Sequence, residues 1–341
     1  MHKNEITHPL LKRKMHPVMA SFLLFLVVYA MLFLSNFILD QLTPYLDILF
    51  ISCVLEVGIF VILTLFFFAL SRSGAPFGKM TFKRTVLVTG MGITGYPVAI
   101  LLALPLLVIW MLVSPTLSDP SAGGLIEIIS QYPLWQTILV IAVTPAISEE
   151  LLFRGAFMKG YAKKIGKAII LSALLFAMLH RQVERLHITF LLGLYIGWVV
   201  LRTGNVIYGM IIHFINNAMS VVYTKALDGV TQNLLTESSI VPQIENAGLI
   251  LLGIGAYVIV SVGLFILFSV LLKNDTKKDM ELLRQETELL PKEKTYFFSV
   301  VFNGLSILLL VVIMAVPYLE VHWPEAYDML MQIVSPLILK G

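Results

Sequence analysis

Charged residues are scarce in this chain of 341 residues, and cysteine is almost absent. Only 13% of the residues are Asp, Glu, Lys or Arg, whereas 58% are hydrophobic and the mean hydropathy is +0.89. Soluble domains carry about 25% charged residues, so the composition excludes an ordinary soluble fold and predicts a polytopic membrane protein. The net charge of only +3 gives no support for a nucleic-acid partner. The single cysteine, Cys53, excludes an intrachain disulfide and a zinc–thiolate cluster.

Long apolar runs recur along the chain, and most have the length of a helix that crosses a membrane. About 20 apolar residues cross a bilayer, and backbone polar groups in lipid must be satisfied within their own segment, so helices are expected. The runs cover residues 18–39, 47–71, 85–113, 133–158, 166–180, 187–202, 204–224, 247–272 and 296–317. The sequence therefore predicts an all-α, polytopic membrane helical bundle of about nine transmembrane helices, an eight-helix core plus one.

The predicted organisation has five parts. Residues 1–132 hold the first three transmembrane helices, and residues 133–224 form a core that carries the polar side chains within the apolar runs. A loop and the eighth helix occupy residues 225–272. The charged segment 273–295 is expected to form an amphipathic helix at the membrane surface. Residues 296–341 hold the last helix and a tail.

The basic residues of the loops predict the orientation in the membrane. Lys and Arg gather after the second, fourth, sixth and eighth predicted helices, and cytoplasmic loops are enriched in these residues. The amino terminus is therefore expected in the cytoplasm and the carboxyl terminus outside, in the plasma membrane of a bacterium. Arg181 and Arg185 disagree because they follow the fifth helix, so that connection is expected to be re-entrant or interfacial.

Two adjacent carboxylates and an arginine interrupt the fourth apolar run, in the sequence SEELLFR that ends at Arg154. An ionisable side chain at bilayer depth costs at least about 2.5 to 3.5 kcal/mol on insertion scales, so three together indicate a site. Glu150 and Arg154 are one helical turn apart and are expected to form an ion pair. Glu149, about 100° further round the helix, is left freer. Glu150 is therefore predicted to be a structural anion, and Glu149 a base.

Two histidines and an asparagine occupy later apolar runs. His180 ends the fifth run in the sequence FAMLH, and His213 and Asn217 lie in the seventh run in HFINN. His213 and Asn217 are one turn apart and project from one face of a helix. Taken alone, each side chain could equally be a packed, hydrogen-bonded residue of the bundle. Together with the acid pair and the arginine, they supply the groups needed to activate water and stabilise an oxyanion.

The order EExxxR, FxxxH and HxxxN in successive transmembrane regions resembles the CPBP family of intramembrane proteases. This family includes the type II CAAX prenyl endopeptidases and the bacterial Abi or bacteriocin-processing proteins. The matching residues are Glu149, Glu150 and Arg154, then Phe176 and His180, then His213 and Asn217. The resemblance is specific because three separate motifs agree.

The resemblance implies hydrolysis of a peptide bond in a membrane-associated protein or peptide. It implies that Glu149 and His180 activate the attacking water. It also implies that His213 and Asn217 stabilise the oxyanion, while the Glu150 and Arg154 pair holds the site together. No cofactor is expected from the resemblance.

Three alternatives stay open at this point. Glu149, His180 and His213 could supply three ligands of a zinc site with one open position. A scaffold or regulator could keep the fold of a protease without its activity. A transporter with a proton relay would account better for Glu56, an acid inside the second apolar run.

Overall fold

The computed structural model describes residues 6–113, 128–161, 164–180, 185–236, 247–290 and 296–322, together with 325, 328 and 332. Its helices are α1 (Pro17–Leu39), α2 (Ile48–Ser71), α3 (Phe82–Val113), α4 (Leu134–Met158), α5 (Ile165–Leu179), α6 (Leu186–Thr203), α7 (Val206–Thr236), α8 (Ala247–Asp275), α9 (Lys277–Leu289) and α10 (Phe297–His322). Within the described part of the chain there is no β-strand, and eight of these helices, all but α5 and α9, are long and apolar enough to cross a membrane. The predicted all-α membrane bundle is confirmed.

Polar residues and a glycine set the ends of several helices. Asp47 Oδ1 accepts hydrogen bonds from the backbone N–H groups of Leu49 (2.9 Å) and Phe50 (3.1 Å) at the start of α2. Gly204 ends α6 with a φ of 63°, a left-handed conformation that favours glycine. Asn205 follows and its Oδ1 accepts from the N–H of Ile207, the second residue of α7. This tight reversal fixes where α7 starts and hence the level of the polar residues on it.

Helix α4 lies at the centre of the bundle. It packs against α1, α2, α5 and α7, while α8 packs on α3 and α10 packs on α1 at the periphery. Half of the membrane-spanning stretch of α4 is buried, against 6% for α8. Phe153, Ala156 and Phe157 of α4 are fully buried among side chains of its neighbours. Polar groups on α4 therefore face protein rather than lipid.

Helix α4 is not a regular α-helix along its length. It contains two π-helical stretches, Ile138–Val143 and Leu151–Met158, on either side of the α-helical segment Thr144–Glu150. Single π-helical stretches also interrupt α1 and α2. Such wider turns are rare and occur frequently at functional sites. The acid pair thus ends a short regular segment that is bounded by irregular helix on both sides.

Helix α5 is shorter than a membrane span. Its 15 residues extend ~22 Å, whereas the hydrocarbon core of a bilayer is ~30 Å thick. The helix starts beside the end of α4, so His180, which follows its last residue, lies at membrane depth. Arg181 lies outside the described residues, and Arg185 directly precedes α6. Residues 181–184 are not among the described residues, so the re-entrant or interfacial connection stays a prediction.

The loops predicted to share one side of the membrane meet at one end of the bundle. We call this end, where residues 72–81, 203–205 and the start of α9 come together, the basic end. The contacts are Lys159 Nζ to Gly74 O (2.5 Å), Asn205 Nδ2 to Gly78 O (2.6 Å), Arg202 Nη2 to Lys273 O (2.7 Å) and Arg84 Nε to Asp275 Oδ2 (2.8 Å). Hydrogen bonds and an ion pair therefore tie the loops after α2, α4, α6 and α8 to one another.

The segment before α1 is fastened to the basic end by Glu286 of α9. Glu286 Oε1 accepts a hydrogen bond from the backbone N–H of Thr7 (3.0 Å), and Oε2 accepts from that of His8 (2.9 Å). Burial opposes the charged form, but these hydrogen bonds outweigh it and lower the pKa of Glu286. Burial of the His8 imidazole lowers the pKa of that residue. The amino-terminal segment is therefore part of the folded protein.

Site-specific labelling tests the sidedness of the bundle. In a Cys53→Ser background, Lys79→Cys and Lys277→Cys place a thiol at the basic end, and Tyr45→Cys places one at the opposite end; all three positions are exposed. Because Lys and Arg favour the cytoplasmic side, a membrane-impermeant maleimide should label only Tyr45→Cys in intact spheroplasts, and the other two after permeabilisation. Labelling of Lys79→Cys and Lys277→Cys from opposite sides would contradict this fold.

Candidate active site

Glu150 and Arg154 form a buried ion pair on α4. Arg154 Nη1 donates to Glu150 Oε1 at 2.8 Å, and the side chains are 1% and 0% exposed, respectively. This is the pairing expected from their spacing of one turn. A buried charge is tolerated only when it is paired and hydrogen-bonded, so each of these two residues requires the other.

Arg154 also connects α4 to α5 and α6. Its Nη2 donates to the backbone carbonyl of Gly193 on α6 at 2.9 Å. The guanidinium lies over the ring of Phe176 on α5, 4.9 Å from the ring centre, where a cation is attracted to the aromatic face. A side chain on Gly193 would lie 3.0 Å from Ala173 of α5, so the glycine allows the close approach of α6. One guanidinium thus holds three helices around the acid pair.

His213 of α7 bridges the two carboxylates. Its Nδ1 lies 3.1 Å from Glu150 Oε1, and its Nε2 lies 4.0 Å from Glu149 Oε2. Because an ionised carboxylate only accepts hydrogen bonds, the contact with Glu150 requires a proton on Nδ1. The other ring nitrogen of His213 therefore faces Glu149. Gly209, one turn before His213, brings α7 close, since a Cβ there would lie 3.0 Å from Glu150 Oε2.

Glu149 differs from its neighbour in exposure and in its partners. Its side chain is 13% exposed, whereas that of Glu150 is fully buried. Glu149 Oε2 makes no hydrogen bond within the described residues. Its contact with His213 Nε2 is 4.0 Å long, so Glu149 lacks the close pairing that Glu150 makes with Arg154.

His180 lies at the end of α5 and is exposed. Its Nδ1 lies 2.8 Å from the carbonyl oxygen of Phe176, and since a carbonyl only accepts, Nδ1 carries the proton. The Phe176 ring contacts both imidazoles, with ring centres 4.9 Å from His180 and 5.6 Å from His213. In the described residues His180 makes no hydrogen bond to the acid pair. Its Nε2 is left as an acceptor.

Asn217 lies one turn beyond His213 on α7. Its Nδ2 donates to the carbonyl oxygen of Ile141 at 3.1 Å, and its Oδ1 accepts from Asn216 at 3.4 Å. Ile141 belongs to the first π-helical stretch of α4. Asn217 therefore connects α7 to the part of α4 that precedes the acid pair. The second hydrogen of its amide stays available for another acceptor.

Two residues near the acid pair were not assigned to the site from the sequence. Ser148 Oγ lies 2.6 Å from Glu56 Oε1 of α2 and 2.8 Å from the Thr144 carbonyl oxygen. The carboxyl groups of Glu56 and Glu149 are near enough to interact electrostatically. In the sequence, Ser148 stands out only because it precedes the acid pair, and Glu56 only because it is an acid in an apolar run. Neither feature indicates that the two side chains contact each other.

The central part of the chain matches a known family. Residues 131–219 match the family model described as type II CAAX prenyl endopeptidase Rce1-like. This match supports the resemblance of residues 131–219 to the CPBP family. The match contains all six predicted site residues and leaves the outer helices α1 to α3 and α8 to α10 outside it. No curated protein and no solved structure matches the chain.

The description of the matched family, a prenyl endopeptidase, implies a protease. The structure brings together Glu149, Glu150, Arg154 and His213 in direct contact, and places His180 and Asn217 next to this group through Phe176 and Ile141. Among the described residues, no group of three His, Cys, Asp or Glu is arranged to hold a metal ion. The three donors considered for zinc, Glu149, His180 and His213, do not form such a group.

The buried pair predicts a large stability cost for Arg154→Met. The substitution leaves the Glu150 carboxylate buried without its cation, and breaking a buried pair costs roughly 3 to 5 kcal/mol. Arg284→Met is the matched control, because Arg284 and Glu288 are also four residues apart but 86% and 72% exposed. The free energy of unfolding, measured by SDS titration from mild-detergent micelles, should fall for Arg154→Met and stay unchanged for Arg284→Met. Equal stability of the two variants would contradict the role of the pair.

Proposed function

We propose that this protein is an intramembrane endopeptidase that hydrolyses a peptide bond of a membrane-associated protein or peptide. The observation that carries the proposal is the division of roles in the acid pair. Glu150 is occupied by Arg154 and His213, whereas Glu149 is partly exposed and faces a ring nitrogen of His213 at 4.0 Å. A carboxylate that is held in place but left unpaired is suited to act as a general base.

In the proposed mechanism, Glu149 accepts a proton from a water molecule whose oxygen attacks the carbonyl carbon of the scissile bond. His180 assists as a second acceptor through Nε2, since its Nδ1 hydrogen is engaged by Phe176. The tetrahedral intermediate then breaks its C–N bond. The proton held by Glu149 passes to the amine that leaves, and the Glu149 carboxylate is regenerated.

His213 and Asn217 are proposed to stabilise the oxyanion of the intermediate. Asn217 has one amide hydrogen that is not used by Ile141. His213 would donate from Nε2 when both of its ring nitrogens carry a proton, since its Nδ1 hydrogen is directed at Glu150. Donors fixed in a low-dielectric site contribute more than they would in water, because they need not reorganise.

The level of the site supports a substrate that enters from the membrane. His213 is seven residues from the start of α7, which places it ~10 Å from the basic end. We propose that the basic end faces the cytoplasm of a bacterial cell, so the scissile bond would be cut in the cytoplasmic half of the bilayer. The name of the matched family refers to prenylated CAAX substrates, and a lipid-anchored protein is one member of the proposed class.

Comparison of membrane proteomes tests the proposed activity. Cells would carry wild type, Glu149→Gln, or the control Glu281→Gln, which removes an exposed acid of α9. Because loss of a general base lowers a rate by about 10²- to 10⁴-fold, new peptide termini should appear with wild type and Glu281→Gln but not with Glu149→Gln, at equal protein abundance. The same termini in all three strains would exclude Glu149 as the base, and the absence of new termini would favour a scaffold.

Metal removal separates this mechanism from a zinc-dependent one. Glu149, as the proposed base, needs no metal to accept a proton from water. The cleavage rate of the purified protein should therefore be unchanged after dialysis against 1,10-phenanthroline, and metal analysis should find less than one zinc per chain. A loss of activity that Zn²⁺ restores would instead assign Glu149, His180 and His213 as ligands.

A further inference from the structure

A cavity of about 180 Å³ lies between α1, α2 and the end of α5. Its walls are mostly apolar, with two serines and one acid. The lining includes Leu32 and Leu39 of α1, Ser52, Leu55 and Glu56 of α2, and Leu179 of α5. None of these helices except α5 belongs to the segment that matches the CPBP family.

The cavity is linked to the proposed catalytic groups through neighbours of its lining residues. Glu56 lies in its wall and is 2.6 Å from Ser148 Oγ, and Ser148 directly precedes Glu149. Leu179 also lies in its wall and directly precedes His180. Each of the two residues proposed to activate water therefore follows directly in the chain a residue that lines the cavity or bonds to its wall.

We propose that the cavity is the subsite for one large apolar side chain of the peptide, next to the scissile bond. The inference rests on the proposed function and names the substrate residue that this site selects. A dry cavity of about 150 Å³ with apolar walls binds benzene, so a space of 180 Å³ accepts one ring or one branched aliphatic side chain. A lipid acyl chain needs a longer groove, and an acidic side chain would meet Glu56.

Filling the cavity should change which bonds are cut. Ser52→Leu adds an isobutyl group to the wall, and Val54→Leu is the matched control, because Val54 lies on the same helix but is 53% exposed outside the cavity. The readout is the sequence around Glu149-dependent cleavage sites in the membrane proteome. Wild type and Val54→Leu should share a preference for Leu, Ile, Met or Phe at one fixed position beside the cut. Ser52→Leu should shift that position to Ala, Gly or Ser, by roughly 10- to 100-fold in relative rate.

A reversible version guards against a folding defect in Ser52→Leu. In a Cys53→Ser background, Ser52→Cys can be modified with benzyl methanethiosulfonate after the protein has folded, and a reductant removes the benzyl group. The shift to small residues should appear on modification and disappear on reduction.

Three results would overturn the inference. An unchanged residue preference in the filled variants would show that the cavity does not select this side chain. Equal slowing at all cleavage sites would show that the cavity serves lipid contact or packing instead. Cleavage that does not depend on Glu149 in any variant would be a failure of the proposed function itself, and would remove the subsite with it.

Discussion

The fold around the site depends on one buried charge pair. Arg154 and Glu150 are almost fully buried, so neither charge is stable in the interior without the other. The pair also fixes its surroundings, because Arg154 donates to Gly193 of α6 and Glu150 contacts His213 of α7. Three helices are thus positioned by a single ionic contact, and Glu149 is left facing His213 as a result. This arrangement assigns different chemistry to two adjacent glutamates.

Irregular helices bring the polar groups to a common level. The π-helical stretch before Thr144–Glu150 contains Ile141, whose carbonyl accepts from Asn217. The stretch after it contains Arg154. Helix α5 stops at Leu179, so His180 reaches the site from within the membrane instead of lying at its far surface. Regular helices of full length would separate these side chains. The proposed activation of water at membrane depth therefore depends on deviations from ideal helix geometry.

Much of this was predictable from local spacing, and the rest depended on contacts between distant segments. The pairing of Glu150 with Arg154 follows from one helical turn, and the close packing at Gly193 follows from small residues on an apolar helix. The apolar run 166–180 gave the length of α5 correctly, but it was counted among about nine transmembrane helices although its 15 residues are too few to span a bilayer. The contact between Ser148 and Glu56 joins residues 92 apart in the chain, and no local pattern encodes it.

The most direct test of the central claim is the cleavage rate of Glu150→Gln. Glutamine keeps the size of the side chain and an acceptor for Arg154 and His213, but it removes the charge that orients and stabilises the His213 imidazole. The account predicts a variant that is less stable than wild type, because Arg154 loses its buried counter-charge. Its folded fraction should cleave at least about 100-fold more slowly than wild type, the scale of losing one stabilising group. A folded Glu150→Gln protein that cleaves at the wild-type rate would contradict the account.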